Sequence, residues 1–494
     1  MTSTTTGHAA APIPTWALDL FIDGKPEPGR DAPVTVFDPA TELELAAVPQ
    51  ADVEQVDRAV LAARRAFDSG AWTALGARGR ARLMHRLADE LERRSEELAA
   101  AITYECGTPI AQSRVGQVKM PLDILRSYAD LAAVDRTEPL GVDLGPMPSD
   151  SLVNHQPVGV VAVIPAYNYP LVLALRTMGG ALAAGCTVVI APSPRAPLAT
   201  LMLAESIAAA DFPPGVVNIV LGGPSVGRRL TSHPEIDKIG FTGSRQVGEQ
   251  IMQQAAPSLK GVTLELGGKT PTVVLPGVEL APLVRRMHLK YLMNAGQACA
   301  APSRLLVHRD QHDEFVELSA AAYTKIRTGD PWHPKTIVGP LIGPEHRRRV
   351  EELVDAAVRD GAVVAAGGGR PEIEKGWFMN PVLLDHVAPK APIAQEEIFG
   401  PVGVLLTYED VDDAVALAND VPYGLAADVF SATTAEGIGI AKRLRAGTVY
   451  VNGGGAFRLD APFGGFKASG IGREYGEWGV REFLEPQHIQ WSLC

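Results

Sequence analysis

The feature that most constrains the fold is a regular alternation of short apolar runs with helical patterns after residue 157. The runs are VGVVAVI (158–164), CTVVIA (186–191), GVVNIV (215–220) and IDKIGFTG (236–243), and each is followed by a segment whose apolar residues recur at helical spacing. Continuous apolar runs are typical of parallel strands buried on both faces. With right-handed crossovers, the alternation predicts an α/β fold that begins with a doubly wound, Rossmann-like domain.

The alternation resumes after residue 270. The runs PTVVLP, RLLVHR, VGVLLTY, LAADVF and GTVYVN are separated by helical patterns, which predicts a second α/β domain. Upstream, amphipathic patterns predict helices over 53–69 and 79–103 and a third helix after Pro109. The final run, HIQWSLC, reads as a strand with no later partner in the sequence, and such a strand can pair elsewhere, for example on another subunit.

Charge and cysteine content narrow the class of protein. The 494 residues carry a net charge of −12, which argues against nucleic-acid binding because that binding needs a positive surface. Four widely spaced cysteines give no metal-binding pair and no disulfide framework, and they favour a reducing compartment. The N-terminal stretch MTSTTTGHAAAPIPTW lacks a signal-peptide pattern and is expected to be a loose tail. No apolar run reaches the roughly 18 residues of a membrane span, so a cytoplasmic protein is expected.

Unusual segments lie where the predicted strands end, which is where open α/β sheets bind ligands. PAYNYP follows the first strand, and its Asn168 can either offer an amide donor to an oxyanion or cap the next helix. FTGSRQVG (241–248) and LGGPSVG (221–227) are strand–turn–helix junctions whose N–H groups suit a phosphate. Neither matches GxGxxG in register, so a tight structural turn is the alternative for both.

Two further residues are candidates for chemistry. Glu265, in LELGGK, lies in an apolar run beside two glycines, where burial should raise its pKa as a general base requires; pairing with a lysine is the alternative. Cys299, in GQACAAPSR, has small neighbours at Ala298 and Ala300 that leave access to a nucleophile, although an isolated cysteine is often a buried apolar residue. EEIFGPV and the glycine-rich PFGGFKASGIGRE complete the set.

Taken together, these segments resemble the aldehyde dehydrogenase superfamily. Six of them follow the family's order over about 300 residues: PAYNYP, FTGS, ELGGK, GQAC, EEIFGP and PFGGFKASGIGRE. The 34 residues between Glu265 and Cys299 also fit the family. The resemblance implies a hydrolytic, non-acylating enzyme that oxidises an aldehyde to the carboxylic acid with NAD(P)+ through a cysteine thiohemiacetal and thioester.

The resemblance also implies the catalytic roles. Cys299 is the expected nucleophile, and Asn168 is the expected oxyanion donor together with the Cys299 backbone N–H. Glu265 would activate the water that hydrolyses the thioester, and Glu474 would be a second carboxylate that relays protons from Glu265. No metal is expected to take part.

The expected cofactor is NAD, with NADP not excluded. Its expected contacts are Pro165, Ala166, Ala191, Ser193, Gly223, Gly227, Phe241, Thr242, Gly243, Ser244, Gly248, Leu266, Gly267, Glu397 and Phe399. Many relatives carry Lys-Pro-Ser-Glu where this chain has APSP, with Ala191 and Pro194 at its ends. A glutamate at position 194 would repel a 2′-phosphate and a lysine at position 191 would attract one, so the loss of both leaves the choice between NAD and NADP open. NAD, bound with weak ribose contacts, is the expected cofactor.

The expected substrate contacts are Tyr169, Leu173, Arg176 and Phe457. Their mostly apolar and aromatic character suits a hydrophobic aldehyde. Two interpretations of Arg176 stay open: a carboxylate clamp of the kind found in semialdehyde dehydrogenases, or a partner for an acidic neighbour. Thr177 replaces a lysine common in relatives, which alters the expected proton relay around Glu265.

The family architecture implies three parts. These are a cofactor-binding domain (1–132 and 153–267), a catalytic domain (268–474) and a small β oligomerisation arm (133–152 and 475–494). The expected assembly is a homodimer or a homotetramer, and the expected partner is a small-molecule aldehyde.

Other functions compete with aldehyde oxidation by hydrolysis. They are a semialdehyde dehydrogenase, an enzyme that passes the acyl group to coenzyme A, and a catalytically silent binding or structural protein. Glu265 argues against the coenzyme A acceptor, because acylating relatives tend to lack that carboxylate. The joint presence of Cys299, Glu265 and Asn168 argues against the silent protein.

Overall fold

The computed structural model describes Trp16 and residues 18–493 and confirms the α/β class. The expected N-terminal tail, apart from Trp16, and Cys494 lie outside the described residues. The strands are β1 (Leu20–Ile22), β2 (Lys25–Glu27), β3 (Asp31–Phe37), β4 (Glu44–Gln50), β5 (Glu138–Pro139), β6 (Ser149–Pro157), β7 (Val160–Ile164), β8 (Thr187–Ile190), β9 (Val217–Ile219), β10 (Lys238–Thr242), β11 (Gly261–Glu265), β12 (Pro271–Val274), β13 (Arg304–His308), β14 (Val363–Gly367), β15 (Val382–Asp385), β16 (Val402–Tyr408), β17 (Ala426–Phe430), β18 (Thr448–Val451), β19 (Gly470–Ile471) and β20 (Leu484–Ser492).

The helices cover the faces of the sheets. They are α1 (Val53–Asp68), α2 (Gly76–Arg93), α3 (Ser95–Cys106), α4 (Ile110–Gln112), α5 (Met120–Ala132), α6 (Pro170–Ala184), α7 (Leu198–Leu201), α8 (Leu203–Ala209), α9 (Pro224–Ser232), α10 (Arg245–Ala255), α11 (Ala281–Leu292), α12 (His312–Tyr323), α13 (Pro344–Arg359), α14 (Pro392–Gln395), α15 (Val411–Asn419), α16 (Thr434–Ala441) and α17 (Gly476–Arg481). A π-helix over Ser113–Lys119 joins α4 to α5.

An eight-stranded sheet contains the first set of apolar runs, in the order β19-β11-β10-β7-β8-β9-β1-β2. Its five central strands are parallel, and their residues are mostly buried, as runs apolar on both faces require. Helix α6 is apolar around its circumference and is buried along its whole length. Since parallel strands point the same way, the segments after β7, β8, β10 and β11 meet at one edge of this sheet.

A seven-stranded sheet contains the second set of runs, in the order β14-β15-β16-β13-β12-β17-β18. Six of its strands run parallel, and the edge strand β14 runs antiparallel to β15. Strand β12 starts six residues after β11 ends, so the short link between them passes directly from one sheet to the other. The cysteine loop precedes β13, the neighbour of β12.

The C-terminal strand has its partner within the same chain. β20 pairs antiparallel with β6 along its full length, and β5 completes a three-stranded sheet. The sequence showed no later partner for this strand because the partner lies more than 300 residues earlier.

The helix predicted over 79–103 is two helices, α2 and α3, which meet at Arg94. Arg94 leaves the helical conformation, with φ −103° and ψ 15°, and its guanidinium pairs with Glu97 and Glu205. The pair with Glu97 is local and the pair with Glu205, in α8, is tertiary; the uninterrupted amphipathic pattern reveals neither the turn nor the tertiary pair.

Among the described residues, no helix combines the length and apolar character needed to cross a bilayer. In the same part of the chain, no three His, Cys, Asp or Glu side chains are grouped closely enough to hold a metal ion.

Candidate active site

The loop before Cys299 is held in an unusual backbone conformation against two other segments. Asn294 and Ala295 adopt left-handed conformations, with φ of 51° and 55°, and Gly296 follows at φ 74°. A Cβ on Gly296 would lie 2.1 Å from the carbonyl oxygen of Gly400, and a Cβ on Gly268 would lie 2.2 Å from that of Cys299. Only glycine permits these approaches, which bring the ELGGK and EEIFGP segments against the cysteine.

Asn168 lies against the same loop. Its side-chain Nδ2 donates to the backbone carbonyl of Gln297, at 2.9 Å, and the residue is buried. An amide NH2 has two donors, so this bond fixes the amide plane while one N–H remains for another acceptor. Of the two roles left open by the sequence, helix cap and donor, the structure records no side-chain cap at the start of α6.

Asn294 is a central residue of the site that sequence reasoning missed. Its Nδ2 donates to the backbone carbonyl of Asn168 at 2.9 Å, and its Oδ1 accepts from the Thr108 hydroxyl at 2.7 Å. Gln117 in the π-helix donates in turn to Thr108, at 2.8 Å. The one local signal was an asparagine before Ala-Gly, a residue type that tolerates left-handed backbone.

Glu265 ends β11 as a buried carboxylate, 2% exposed, and neither of its oxygens has a hydrogen-bond partner among the described residues. Burial is the largest cause that raises its pKa well above the usual value, and the nearby Glu474 raises it further. Arg176 and Arg473 act in the opposite direction. The carboxyl group is therefore a strong proton acceptor when it is ionised.

Glu474 lies beside Glu265 and contacts two residues of α6. Its carboxylate accepts a hydrogen bond from the Thr177 hydroxyl, at 2.8 Å, and forms an ion pair with Nε of Arg176. Its backbone pairs with that of Phe463 in the glycine-rich segment. The ion pair matches the second interpretation of Arg176, a partner for an acidic neighbour.

The 397–399 segment is anchored by α13. Gly268 donates its N–H to Oε1 of Glu397 at 3.2 Å, and burial is the largest cause that raises the pKa of Glu397 to about 7. His346 contacts the carbonyl of Phe399 at 2.7 Å, and Arg349 donates to the carbonyl of Glu397 at 2.9 Å. His346 and Arg349 were not identified from the sequence, because nothing local links them to a segment about 50 residues away.

The remaining cofactor candidates border the same edge of the eight-stranded sheet. Three pairs directly follow strands: Pro165 and Ala166 after β7, Ala191 and Ser193 after β8, and Leu266 and Gly267 after β11. Phe241 and Thr242 end β10. The others lie around the starts of two helices: Gly223 and Gly227 at α9, and Gly243, Ser244 and Gly248 at α10. Ser244 caps α10 by accepting from the Val247 N–H, whereas α9 starts at Gly223 without a side-chain cap. Free N–H groups at a helix start suit an anion.

A buried glutamate fixes the loop after β8. Glu105 accepts from the backbone N–H groups of Leu198, at 2.6 Å, and Ala199, at 3.0 Å, at the start of α7. Its capping role was not predicted, because its partners lie more than 90 residues away. The carboxylate holds the end of the APSP loop that carries Ala191 and Ser193.

The substrate candidates lie on two parts of the chain. Burial, and next the charge of Cys299, raise the pKa of Tyr169, so the Tyr169 hydroxyl lies within electrostatic reach of the thiol. Leu173 is buried one helical turn further along α6. Phe457, in the segment before the glycine-rich loop, is 40% exposed and packs edge-on against Tyr475, with ring centres 5.1 Å apart.

The Cys299 thiol should react slowly in the ligand-free protein. Burial is the largest cause that raises its pKa to about 12, Glu265 and Glu397 add to the shift, and Arg176 opposes it. Between pH 7 and 9, the rate of alkylation by iodoacetamide should rise about tenfold per pH unit, because the thiolate is the reactive form. Mass spectrometry of the Cys299 peptide gives the rate, with Cys299→Ala as the control for labelling at other cysteines. A plateau below pH 9 would contradict this account.

The sequence and the structure both match known proteins over nearly their whole length. The profile of the "Aldehyde dehydrogenase family" matches residues 27–489. The chain is 40% identical to a putative aldehyde dehydrogenase, DhaS, of Bacillus subtilis, over 96% of this chain and 95% of that protein. It is also 40% identical to the geranial dehydrogenase of Castellaniella defragrans, over 92% and 94% of the two chains.

A solved structure shows the same arrangement. A mutant of aldehyde dehydrogenase C from Pseudomonas syringae, in complex with NAD+ and octanal, superposes with a TM-score of 0.90 at 38% identity and 96% coverage of both chains. The convergence of Cys299, Asn168, Glu265 and Glu397 thus occurs in a chain whose full length follows this family. The protein belongs to the aldehyde dehydrogenase family and is an oxidoreductase.

Proposed function

We propose that the protein oxidises a hydrophobic aldehyde to the carboxylic acid with NAD+, by a covalent and hydrolytic route. The observation that carries the proposal is the joint placement of Cys299, the Asn168 amide and the buried Glu265 around one loop. These are the three groups that nucleophilic attack, oxyanion stabilisation and thioester hydrolysis need.

The first half of the reaction belongs to Cys299 and Asn168. The thiolate adds to the carbonyl carbon and forms a C–S bond, and the former carbonyl oxygen becomes an oxyanion. The second N–H of Asn168 and the backbone N–H of Cys299 hold that oxyanion, while Gln297 keeps the amide in place. Loss of a hydride from this carbon would re-form the C=O bond as a thioester, and a nicotinamide held at the sheet edge would supply the hydride acceptor.

The second half belongs to Glu265. Its carboxylate takes a proton from water, the resulting hydroxide adds to the thioester carbon, and the C–S bond breaks to release the acid and the thiolate. A raised pKa makes Glu265 an effective base once it is ionised. Retention of this carboxylate favours water over coenzyme A as the acceptor, and the three placed groups favour an enzyme over a silent protein.

The residues at the sheet edge fit a dinucleotide. Helices α9 and α10 pack against each other, and the uncapped start of α9 and the start of α10 at Ser244 can offer N–H groups to a pyrophosphate. Glu397 can accept from a ribose hydroxyl, and Phe399 can border the nicotinamide ring. The similar structure that contains NAD+ supports this assignment.

In this proposal, the apolar and aromatic side chains of Tyr169, Leu173 and Phe457 line the substrate site. The names of two similar proteins mention apolar aldehydes: one is a geranial dehydrogenase, and the other was solved in complex with octanal. A semialdehyde substrate held by Arg176 would require that guanidinium to leave Glu474, with which it forms a buried ion pair. Breaking such a pair is costly, which favours the hydrophobic aldehyde.

We also propose the domain boundaries and the assembly that the family implies. In this proposal, residues 1–132 with 153–267 bind the cofactor, 268–474 form the catalytic domain, and 133–152 with 475–494 form the arm of a homodimer or homotetramer. Support comes from the exposed apolar side chains of the arm, among them Leu144 and Trp491, at 81% and 42% exposure. Exposed apolar groups of this kind favour association.

Glu265→Gln should separate oxidation from hydrolysis. The amide cannot take a proton from water, so one equivalent of NADH should form in a burst and steady turnover should fall about 10²- to 10⁴-fold. Rapid-mixing absorbance measures the burst, and mass spectrometry measures the acyl adduct on Cys299. Cys299→Ala should give neither burst nor adduct, and a Glu265→Gln enzyme that turns over normally would sink the assigned role.

The APSP segment should set the coenzyme preference. Ala191→Lys adds a positive charge, and kcat/KM for NADP+ should rise on the order of fivefold, the size expected of one partly exposed ion pair. The matched variant Pro194→Glu should lower NADP+ use through repulsion of the 2′-phosphate. Steady-state kinetics with both coenzymes and octanal give the ratios, and unchanged ratios in both variants would remove these positions from the ribose site.

Charges on the arm should weaken the assembly. Leu144→Glu and Trp491→Glu each place a carboxylate in the proposed interface, where an unpaired buried charge is unfavourable. Light scattering coupled to size-exclusion chromatography should show a shift to smaller species. Leu259→Glu, at a residue 92% exposed after α10 and outside the arm, should leave the mass unchanged; equal behaviour of all three variants would argue against an arm interface.

A further inference from the structure

Arg176 is a buried guanidinium that contacts several groups of the site at once. It pairs with Glu474, and its Nη2 donates to the Thr242 hydroxyl at 3.2 Å. Its guanidinium carbon lies 5.7 Å from the ring centres of both Phe463 and Tyr475, within the range of cation–π attraction. These contacts fix the position and the orientation of the guanidinium, which projects from the fully buried helix α6.

The residue after Arg176 explains why this charge matters. Thr177 contacts the same carboxylate, but its hydroxyl donates to Glu474 without bringing any charge. The positive group that contacts Glu474 comes from Arg176. Its guanidinium is planar and permanently charged, so it balances the carboxylate at every ordinary pH.

We propose that Arg176 is a positioning residue that balances and orients the Glu474 carboxylate, and that this pair sets the charge that Glu265 experiences during thioester hydrolysis. The inference rests on the proposed function, because it assigns the pair to the hydrolytic half of that reaction. It also gives Arg176 a role that requires no carboxylate on the substrate.

The two members of the Arg176–Glu474 pair shift the pKa of Glu265 in opposite directions. Glu474 and Glu482 raise the pKa of Glu265 beyond the effect of burial, and Arg176 and Arg473 lower it. Glu482 is engaged with Lys238, at 3.1 Å, and with the backbone N–H of Arg473.

Arg473 itself donates to the carbonyls of Gly465 and Gly472. Cys299 and Tyr475 are further titratable neighbours, and Glu265 adds to the raised pKa of each. The Arg176–Glu474 pair can be unbalanced in either direction by a single substitution, which makes it the pair to test.

Removing one member should therefore move the pH dependence of hydrolysis in a direction set by the charge removed. Arg176→Met leaves the Glu474 charge unbalanced and disfavours ionised Glu265, so hydrolysis should require a higher pH. Glu474→Gln leaves Arg176 unbalanced, so hydrolysis should begin at a lower pH. The double variant removes both charges and should return towards the wild-type profile, which a loss of packing alone would not do.

The test follows hydrolysis without the coenzyme. An activated ester, p-nitrophenyl acetate, should acetylate Cys299 and release p-nitrophenolate. After removal of excess ester, mass spectrometry follows loss of the acetyl group from pH 6 to 10. The expected apparent pKa shifts are about one unit or more, upward for Arg176→Met and downward for Glu474→Gln. Shifts in the same direction, or no shift in either variant, would overturn the inference.

Two further variants separate charge from packing. Arg176→Lys keeps the charge and should restore most of the wild-type profile. Thr177→Val removes a hydrogen bond to Glu474 but no charge and should move the profile much less than Arg176→Met; an equal shift would point to a purely structural role. If Arg176→Met does not fold, the Glu474→Gln shift decides alone. Wild-type protein that reduces no NAD+ with any aldehyde would instead contradict the proposed function.

Discussion

The close contact between the backbone of Gly268 and the carbonyl of Cys299 is the constraint on which the rest of the site depends. It joins the link between β11 and β12, and hence both large sheets, to the loop that carries the thiol. The same link donates to Glu397 through the Gly268 N–H. A larger residue at position 268 would push the Cys299 loop away from Glu265 and Glu397, so one absent Cβ keeps the groups of the proposed reaction together.

Burial and an uneven distribution of charged partners determine how readily the groups around that contact ionise. Glu265, Glu397 and Cys299 share a poorly solvated region in which ionisation is unfavourable, and their pKa values are raised accordingly. Glu474 lies in the same region but has Arg176 and Thr177 as partners. The site thus combines three groups whose burial favours the protonated form with one carboxylate held in place by a permanent charge.

The periodic runs and the strand-end segments predicted the parts of the molecule whose causes are local. Both sheets followed from apolar alternation, and the site followed from glycine and proline segments at the strand ends. The Asn294 network, the Glu105 cap and the Arg176–Glu474 pair join residues far apart in sequence. No local pattern contains them, because the fold brings the partners together only after the sheets form. The break at Arg94 was missed for the same reason.

The hydrogen bonds from α13 to the 397–399 segment affect how the site responds to a change in pH. Burial is the largest cause that lowers the pKa of His346 to about 4, so the imidazole is neutral across the ordinary pH range and its Nε2–H donates to the Phe399 carbonyl. Phe399 holds a left-handed conformation, with φ 60°, that this bond helps to maintain. The Phe399 backbone is therefore held by a hydrogen bond that does not titrate at ordinary pH, although burial raises the pKa of Glu397, two residues earlier, to about 7.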